Sequence, residues 1–505
     1  MKIIKTQNIY KVLGIFLGIL LVTSCKKSQT ESAQLTLSNI TQAISEEGGT
    51  VGLSFTSDAE WSATKEGAEW LSLSQTSGGS GAGTINLTAS SNSTGASRSV
   101  VLIINSTNGQ RRRITVTQNA QIYPSYNISP KAADAAGMNS TAMELCNKMT
   151  MGWNIYNTLD APGWETGWGQ PPVTQQLIDL VKSTGMNAIR IPVTWSNHII
   201  NKQTQEIDPL WLARVKEVVQ YCFNAKMYVI LNTHHDGYID CKVTGAKQDT
   251  VNAKHKAIWQ QIATTMRDFD EHLIFASANE PEATTDQETA TLMRYHQSFI
   301  NAVRSTGGKN AYRALVLQAP NTSLTLMNEQ LNPANVYKRA TLPSDAVPQK
   351  MILEFHYYSP PNFCIISEDA SWGKAWYFWG SGFHTKNPLF LDRNSSPASE
   401  EASVDAAMRS VKTNFTDRGI PVIMGEYDVS YHADKLKGYP ADSLLALKSG
   451  WHFYAYVTKQ AKVNGIVPFL WASGIFQRPF KNGVAAPAYI GDQVALDSLK
   501  KGAGF

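Results

Sequence analysis

The sequence predicts an α/β protein: a (β/α)8 TIM barrel preceded by a small all-β, immunoglobulin-like sandwich. Three observations carry that prediction. Residues 34–120 are rich in Ser, Thr and Gly and read in period 2, the mark of short half-buried strands. From residue 138 onward, eight nearly continuous apolar runs alternate with amphipathic stretches of helical length. Nearly every one of those runs ends in a polar or aromatic residue, as in a barrel whose chemistry gathers at one rim.

At the start of the chain, Lys2 and Lys5 precede an apolar run over 12–22 that ends in Leu21-Val22-Thr23-Ser24-Cys25. The run is too short and too early for a comfortable membrane span and has the layout of a signal peptide. Small residues just before a Cys resemble a bacterial lipobox. Residues 1–24 are therefore expected to be a lipoprotein signal peptide, cut before a lipidated Cys25. Its acyl chains would hold the protein to a membrane at ~0.8 kcal/mol per buried CH₂. The expected product is an exported lipoprotein of the outer membrane at the cell surface, with a periplasmic orientation left open. The competing reading is a cytosolic protein with an apolar first helix.

In the sandwich region, Thr50-Val51-Gly52-Leu53-Ser54-Phe55-Thr56, Thr84-Ile85-Asn86-Leu87-Thr88 and Arg113-Ile114-Thr115-Val116-Thr117 alternate. Asn108-Gly109 separates the runs 100–105 and 113–117, a hairpin signal. The Gly-rich stretch 78–83 lacks the Lys-Ser/Thr ending and following helix of a phosphate loop. Trp61 and Trp70 read as core rather than as a ligand face. Residues 121–137, with Pro124 and Pro130, read as a linker.

The barrel domain is expected over 138–505. Its strand candidates are 149–154, 187–193, 227–234, 273–280, 314–319, 351–358, 421–426 and 466–471, with helices such as 173–183, 211–224, 252–269 and 287–305 between them. The longest insertion falls between the sixth and seventh runs. The strand ends, in order, offer Trp153-Asn154, Arg190, His234-His235, Asn279-Glu280, Gln318, His356 with Tyr358, Glu426 and Trp471.

Two of these are carboxylates, and strands four and seven face each other across an eight-stranded barrel. A pair of acids flanking a bond is what glycoside cleavage needs: one protonates the leaving oxygen, and in retaining enzymes the other attacks the sugar from ~5–5.5 Å away. Glu280 is the expected acid/base and Glu426 the expected nucleophile. Glu280 must then start protonated, raised by the negative charge of Glu426. Asn279 can bond the sugar 2-OH, Arg190 and Tyr358 can hold Glu426 ionised, and His234, His235 and His356 can orient these groups and bind hydroxyls. Asn154 is placed with this supporting set. A metal reading of His234-His235-Asp236 is weaker, because neighbours on a strand point to opposite faces.

Among the aromatics, Trp471 is expected to floor the cleaved subsite. Trp372, Trp376, Tyr377 and Trp379 in the long insertion are expected to build distal subsites, and Trp195 to be core. Neither zinc spacing nor a C-x-x-C pair links Cys146, Cys222, Cys241 and Cys364, which are expected to be buried thiols. The sequence also lacks a G-x-S-x-G elbow, against a serine hydrolase. A formal charge of +4 over 505 residues, without a basic stripe, argues against nucleic acid as a partner.

The Trp61, Trp70-Leu71, Arg98 and Thr117-Gln118-Asn119 pattern resembles a BACON domain, which implies glycan binding; a spacer role is favoured here, since no stacking platform is evident. The later stretches Gly152-Trp153-Asn154-Ile155, Ile189-Arg190-Ile191-Pro192, Asn232-Thr233-His234-His235, Asn279-Glu280-Pro281, His356-Tyr357-Tyr358 and Gly425-Glu426 closely resemble glycoside hydrolase family 5, most of all its subfamily 4. That resemblance implies a retaining enzyme with the two roles assigned above and no cofactor. With a BACON-like module and a lipobox, the chain looks like the xyloglucan endo-hydrolases of Bacteroides. The expectation is thus a monomeric retaining endo-β-1,4-glucanase acting on xyloglucan. Alternatives are an enzyme for unbranched or mixed-linkage glucan or glucomannan, and a non-catalytic glycan-binding lipoprotein. Tyr156 departs from the Gly usual in such sequences.

Overall fold

The computed structural model describes residues 34–94, 96–335, 340–471 and 474–505. The signal-peptide reading and Cys25 lie outside the described residues. The chain divides into two compact units, one through Ala120 and one from Gln121 onward.

The first unit is a sandwich of a four-stranded and a five-stranded sheet. Strand Gly81–Ala89 alternates buried and exposed residues from Gly83 to its end, as a half-buried strand must. Strands Arg98–Ser106 and Arg111–Gln118 form the expected antiparallel hairpin, with Gly109 at φ 86° in its turn. Trp61 is core, edge-on to Phe55 at 4.8 Å. Trp70 is half-buried beneath the Arg98 guanidinium, 4.5 Å from its ring centroid, and Arg98 Nε donates to Gln118 Oε1 at 2.8 Å.

The second unit is a closed barrel of eight parallel strands. They are β1 (Gly152–Asn154), β2 (Ala188–Ile191), β3 (Tyr228–Asn232), β4 (Leu273–Ala276), β5 (Leu315–Ser323), β6 (Met351–His356), β7 (Val422–Tyr427) and β8 (Ile466–Leu470). Each expected run coincides with one, six enclosing their strand, while β5 and β7 run past the expected ends at 319 and 426. Closure depends on Gly152, where an added Cβ would stand 2.1 Å from the Phe469 ring of β8. Residues 121–137, expected to be a linker, are bonded onto this unit: Tyr126 donates to Thr204, and Lys131 pairs in parallel with Gly307.

Strand pleat sorts the side chains. Ala188, Ile230, Ile274, Val316, Ile352, Ile423 and Val467 form one buried cluster inside the barrel. Helix Ala142–Lys148 closes it through Leu145, Cys146 and Met149. Two residues further along the same strands come Arg190, Asn232, Gln318 and Glu354, so a polar layer lies directly on the apolar one. Helices such as Pro209–Asn224, Ala246–Met266 and Asp286–Ser305 cover the outside. Thr285 and Glu288 form a capping box at the start of the last of these. Cys146, Cys222, Cys241 and Cys364 are buried free thiols.

Candidate active site

At the C-terminal rim the polar layer becomes a bonded network centred on Arg190, which is fully buried. Its Nη1 donates to Glu426 Oε1 at 2.8 Å and to Asn154 Oδ1 at 3.0 Å. Its Nη2 donates to Asn279 Oδ1 at 2.7 Å and pairs with Glu354 Oε1 at 3.0 Å. Asn154 Nδ2 in turn donates to the Gly425 and Leu470 carbonyls, at 3.0 and 3.1 Å, tying β1 to β7 and β8.

Glu426 is 6% exposed, and Tyr358 Oη donates to its Oε2 at 3.0 Å. The β6–β7 ladder shifts register between Phe355 and His356, and the β7–β8 ladder between Met424 and Tyr427. Such irregularities re-aim side chains. Glu280 sits differently. Its side chain is 52% exposed, and its backbone is left-handed at φ 44° just before Pro281. For a non-glycine residue that conformation costs ~1–3 kcal/mol, which the surrounding rim must offset. One carboxylate oxygen of Glu280, one of Glu426 and one nitrogen of His356 all lie within 4.8 Å of one another.

His356 joins the two acids. Its Nδ1 lies 2.7 Å from Glu280 Oε1 and 3.6 Å from Glu426 Oε2, and its Nε2 lies 3.3 Å from Glu354 Oε1. Burial alone would lower the imidazole, but Glu426, Glu280 and Glu354 raise it to about 9. That favours its charged form and bears directly on Glu280, which the sequence leads one to expect protonated at rest. Burial works to raise that carboxyl, but the hydrogen bond and charge of His356, with Arg190 and His235, hold it below its ordinary range. Glu426 ends above its ordinary range because its burial outweighs the attraction of His356 and Arg190.

The raised His356 has a consequence for stability. A base raised on folding contributes stability that is complete below its unfolded value near 6.5 and is lost as pH climbs through about 9. A shift of this size is worth on the order of 3 kcal/mol. Between pH 6.5 and 9.5 the wild-type melting temperature should fall more steeply than that of His356→Gln. Parallel curves for the two proteins would contradict this.

Strand β3 stops at Asn232, so His234 and His235 lie beyond the pleat. The expectation that they point to opposite faces fails for that reason: their rings are 4.5 Å apart and both line the cleft. Ligand atoms of Asp160, His234 and His235 even fall within 4.8 Å of one another. His234 is buried, bonded through Nδ1 to Asn232 Nδ2 at 3.0 Å, and held neutral by burial and by Arg190. It stacks on Trp471 with centroids 5.5 Å apart at 11°. His235 is half-exposed and edge-on to Trp168, which is 45% exposed. The Tyr156 ring lies near those of Trp153 and Trp471, with centroids 6.3 and 6.4 Å away.

Two cavities share His234, His235, Asn279 and Glu280. One, of about 640 Å³, adds Tyr358, Glu426 and Trp471. The other, of about 460 Å³, adds Asp236, Lys242 and Glu282. The insertion's aromatics are divided. Trp379 is fully buried with its indole N–H on Ser399 O, and Trp376 is half-buried against the barrel core; neither lines these cavities. Only Trp372 of that tryptophan group is exposed. Trp195 is core, as expected, and its indole donates to Asn232 O. The sequence reading missed Glu354 and Asp160. A carboxylate inside an otherwise apolar β6 run, on the inward parity of Ile352, was the available signal for Glu354.

Comparison with known proteins adds to this geometry. The cellulase family, glycosyl hydrolase family 5, matches residues 147–477, and the BACON family, described as a putative N-terminal binding domain, matches 59–119. The xyloglucan-specific endo-β-1,4-glucanase BoGH5A of Bacteroides ovatus is 29% identical across 95% of this chain and 96% of its own. Endoglucanase A of Clostridium longisporum is 35% identical over 61% of this chain and 57% of its own. Among solved structures, a Bacteroides ovatus family 5 xyloglucanase with a bound XXXG heptasaccharide superposes with a TM-score of 0.65 at 27% identity, covering 94% of this chain and all of that one. XEG5B, a xyloglucan-specific β-1,4-glucanase from a ruminal metagenomic library, gives 0.61 at 34% identity, covering 72% of this chain and 96% of that one.

Proposed function

The chain belongs to glycosyl hydrolase family 5, and from that premise we propose that it is a retaining endo-β-1,4-glucanase that cuts the backbone of xyloglucan. The observation that carries the reaction is the approach of the Glu280 and Glu426 carboxylates to within 4.8 Å, close to the ~5–5.5 Å of a double displacement and short of the ~6.5–9.5 Å that leaves room for water in inversion. In the first step Glu426 attacks the anomeric carbon while a proton passes from Glu280 to the leaving oxygen. In the second, Glu280 takes a proton from water as it displaces Glu426.

The resting site holds that proton close by. His356 stands 2.7 Å from Glu280, and a sugar covering the half-exposed carboxyl would strip its water. Desolvation raises a carboxyl and lowers an imidazolium, so the proton moves along a hydrogen bond already made. Asn279 has its Oδ1 occupied by Arg190, which leaves its amide N–H groups as donors to a sugar 2-OH. Trp471, braced by His234, offers an aromatic face to a ring. The reaction requires no metal or cofactor.

Endo action is supported by two adjoining cavities that share Glu280 and extend past it, one toward Glu426 and Trp471 and one toward Lys242 and Glu282, which suits a chain passing through. Xyloglucan is supported by the two xyloglucan-specific relatives. Hydrolysis of tamarind xyloglucan, carboxymethylcellulose, mixed-linkage glucan and glucomannan, with product sizing, tests it. Xyloglucan should give the highest kcat/KM, with oligosaccharides from internal cuts. Activity confined to glucomannan would overturn the substrate choice. The same proposal places the enzyme on the outer membrane through Cys25, and radiolabelled palmitate should enter the wild type but not Cys25→Ser.

A further inference from the structure

We propose that Glu354 is a positioning residue for this reaction, holding His356 at the shared proton of Glu280 and bracing Arg190 beneath Glu426. The inference rests on the acid/base role assigned to Glu280. Glu354 lies fully buried on β6, two residues before His356, and lines neither of the two cavities. A carboxylate so placed costs several kcal/mol of hydration, so a buried ion pair is weak evidence of a role in stability alone. Its bonds show what it does instead. Oε1 pairs with Arg190 Nη2 at 3.0 Å and meets His356 Nε2 at 3.3 Å, while Oε2 accepts from Gln318 Nε2 at 2.6 Å. Gln318 is itself fixed, its Oε1 accepting from the Ala278 N–H at 3.0 Å.

One carboxylate thus holds both cations that face the reacting pair. With Nε2–H directed at Glu354, the other imidazole nitrogen is left facing Glu280, able to give or take the proton there. This is the logic by which a buried acid orients a catalytic histidine. Chain geometry protects the arrangement: a Cβ on Gly425, the residue before Glu426, would stand 1.9 Å from Glu354 Oε1. Charge fits as well. Glu280, Glu354 and Glu426 against Arg190 and His356 leave one negative charge, so one further proton makes the set neutral. Other titratable groups around this set are the neutral His234, His235 on the Glu280 side, and Tyr358, which donates to Glu426.

The test is the pH profile of Glu354→Gln, which keeps the shape and removes the charge. Losing one of its three carboxylate neighbours lowers His356, so the basic limb of kcat/KM should move down by about one pH unit. In the same variant kcat should fall ~10–10²-fold with KM within about twofold. A merely structural role would reduce the active fraction and leave the limb in place, and an unmoved limb overturns the proposal. If Glu354→Gln does not fold, Gln318→Met removes the bond to Oε2 and keeps every charge; a smaller shift of the basic limb is expected, and no shift overturns the proposal. A wild-type enzyme inactive on every β-glucan would instead overturn the assigned reaction, an outcome distinct from both.

Discussion

Glu426→Ala is expected to abolish glucan hydrolysis while the protein stays folded. Without a nucleophile the covalent step has no partner, and the fall in kcat/KM should be on the order of 10⁴-fold or more. The barrel should survive because Arg190 keeps Glu354, Asn154 and Asn279 as partners after Glu426 is gone. Circular dichroism matching the wild type checks that point. The informative addition is azide. The shortened side chain leaves room for a small anion beside the Arg190 guanidinium, on the face from which Glu426 would attack. Azide should restore turnover on an aryl β-cellobioside and yield the α-glycosyl azide, the product of a single inversion. A β-glycosyl azide would exchange the roles of the two acids. Activity persisting without azide would remove the mechanism altogether.

The barrel itself was legible because strands buried on both faces leave an unbroken apolar run, and eight such runs admit few topologies. The two carboxylates that meet at the rim are legible because each closes an apolar run with a group that an apolar interior does not favour. What escaped the sequence was set by depth and by termination. Glu354 sits inside a run rather than at its end, and its importance comes from Arg190 and Gln318, which are distant in sequence. The histidine pair was misjudged because strand alternation was carried two residues past Asn232, where the ladder has ended. Trp379 reads as a substrate residue because insertions are usually surface loops; here the insertion folds back onto the core of the barrel unit, and Trp379 packs on Phe453 at 4.9 Å. The pull of His356 on Glu280 is not legible in the sequence, since it depends on a 2.7 Å contact made only by folding.

Glu280→Ala is expected to separate the two halves of the reaction. On glucan the leaving group is a sugar hydroxyl, which departs only when protonated, so loss of the acid should lower kcat/KM by ~10²–10⁴-fold. A dinitrophenyl β-cellobioside leaves without that proton, and Glu426, still held by Arg190 and Tyr358, can attack it. The glycosyl-enzyme should then form quickly and decay slowly, because the base that activates water is missing. A burst of dinitrophenol followed by slow turnover is the expected trace, and intact mass spectrometry should show the adduct on Glu426. Azide needs no base and should accelerate the second step, giving the β-glycosyl azide by a second inversion. The basic limb of the pH profile should vanish with Glu280, since His356 then has no acid to supply. Equal losses on glucan and on the activated substrate would show that Glu280 does not deliver the proton, and the acid would have to be sought elsewhere on the rim.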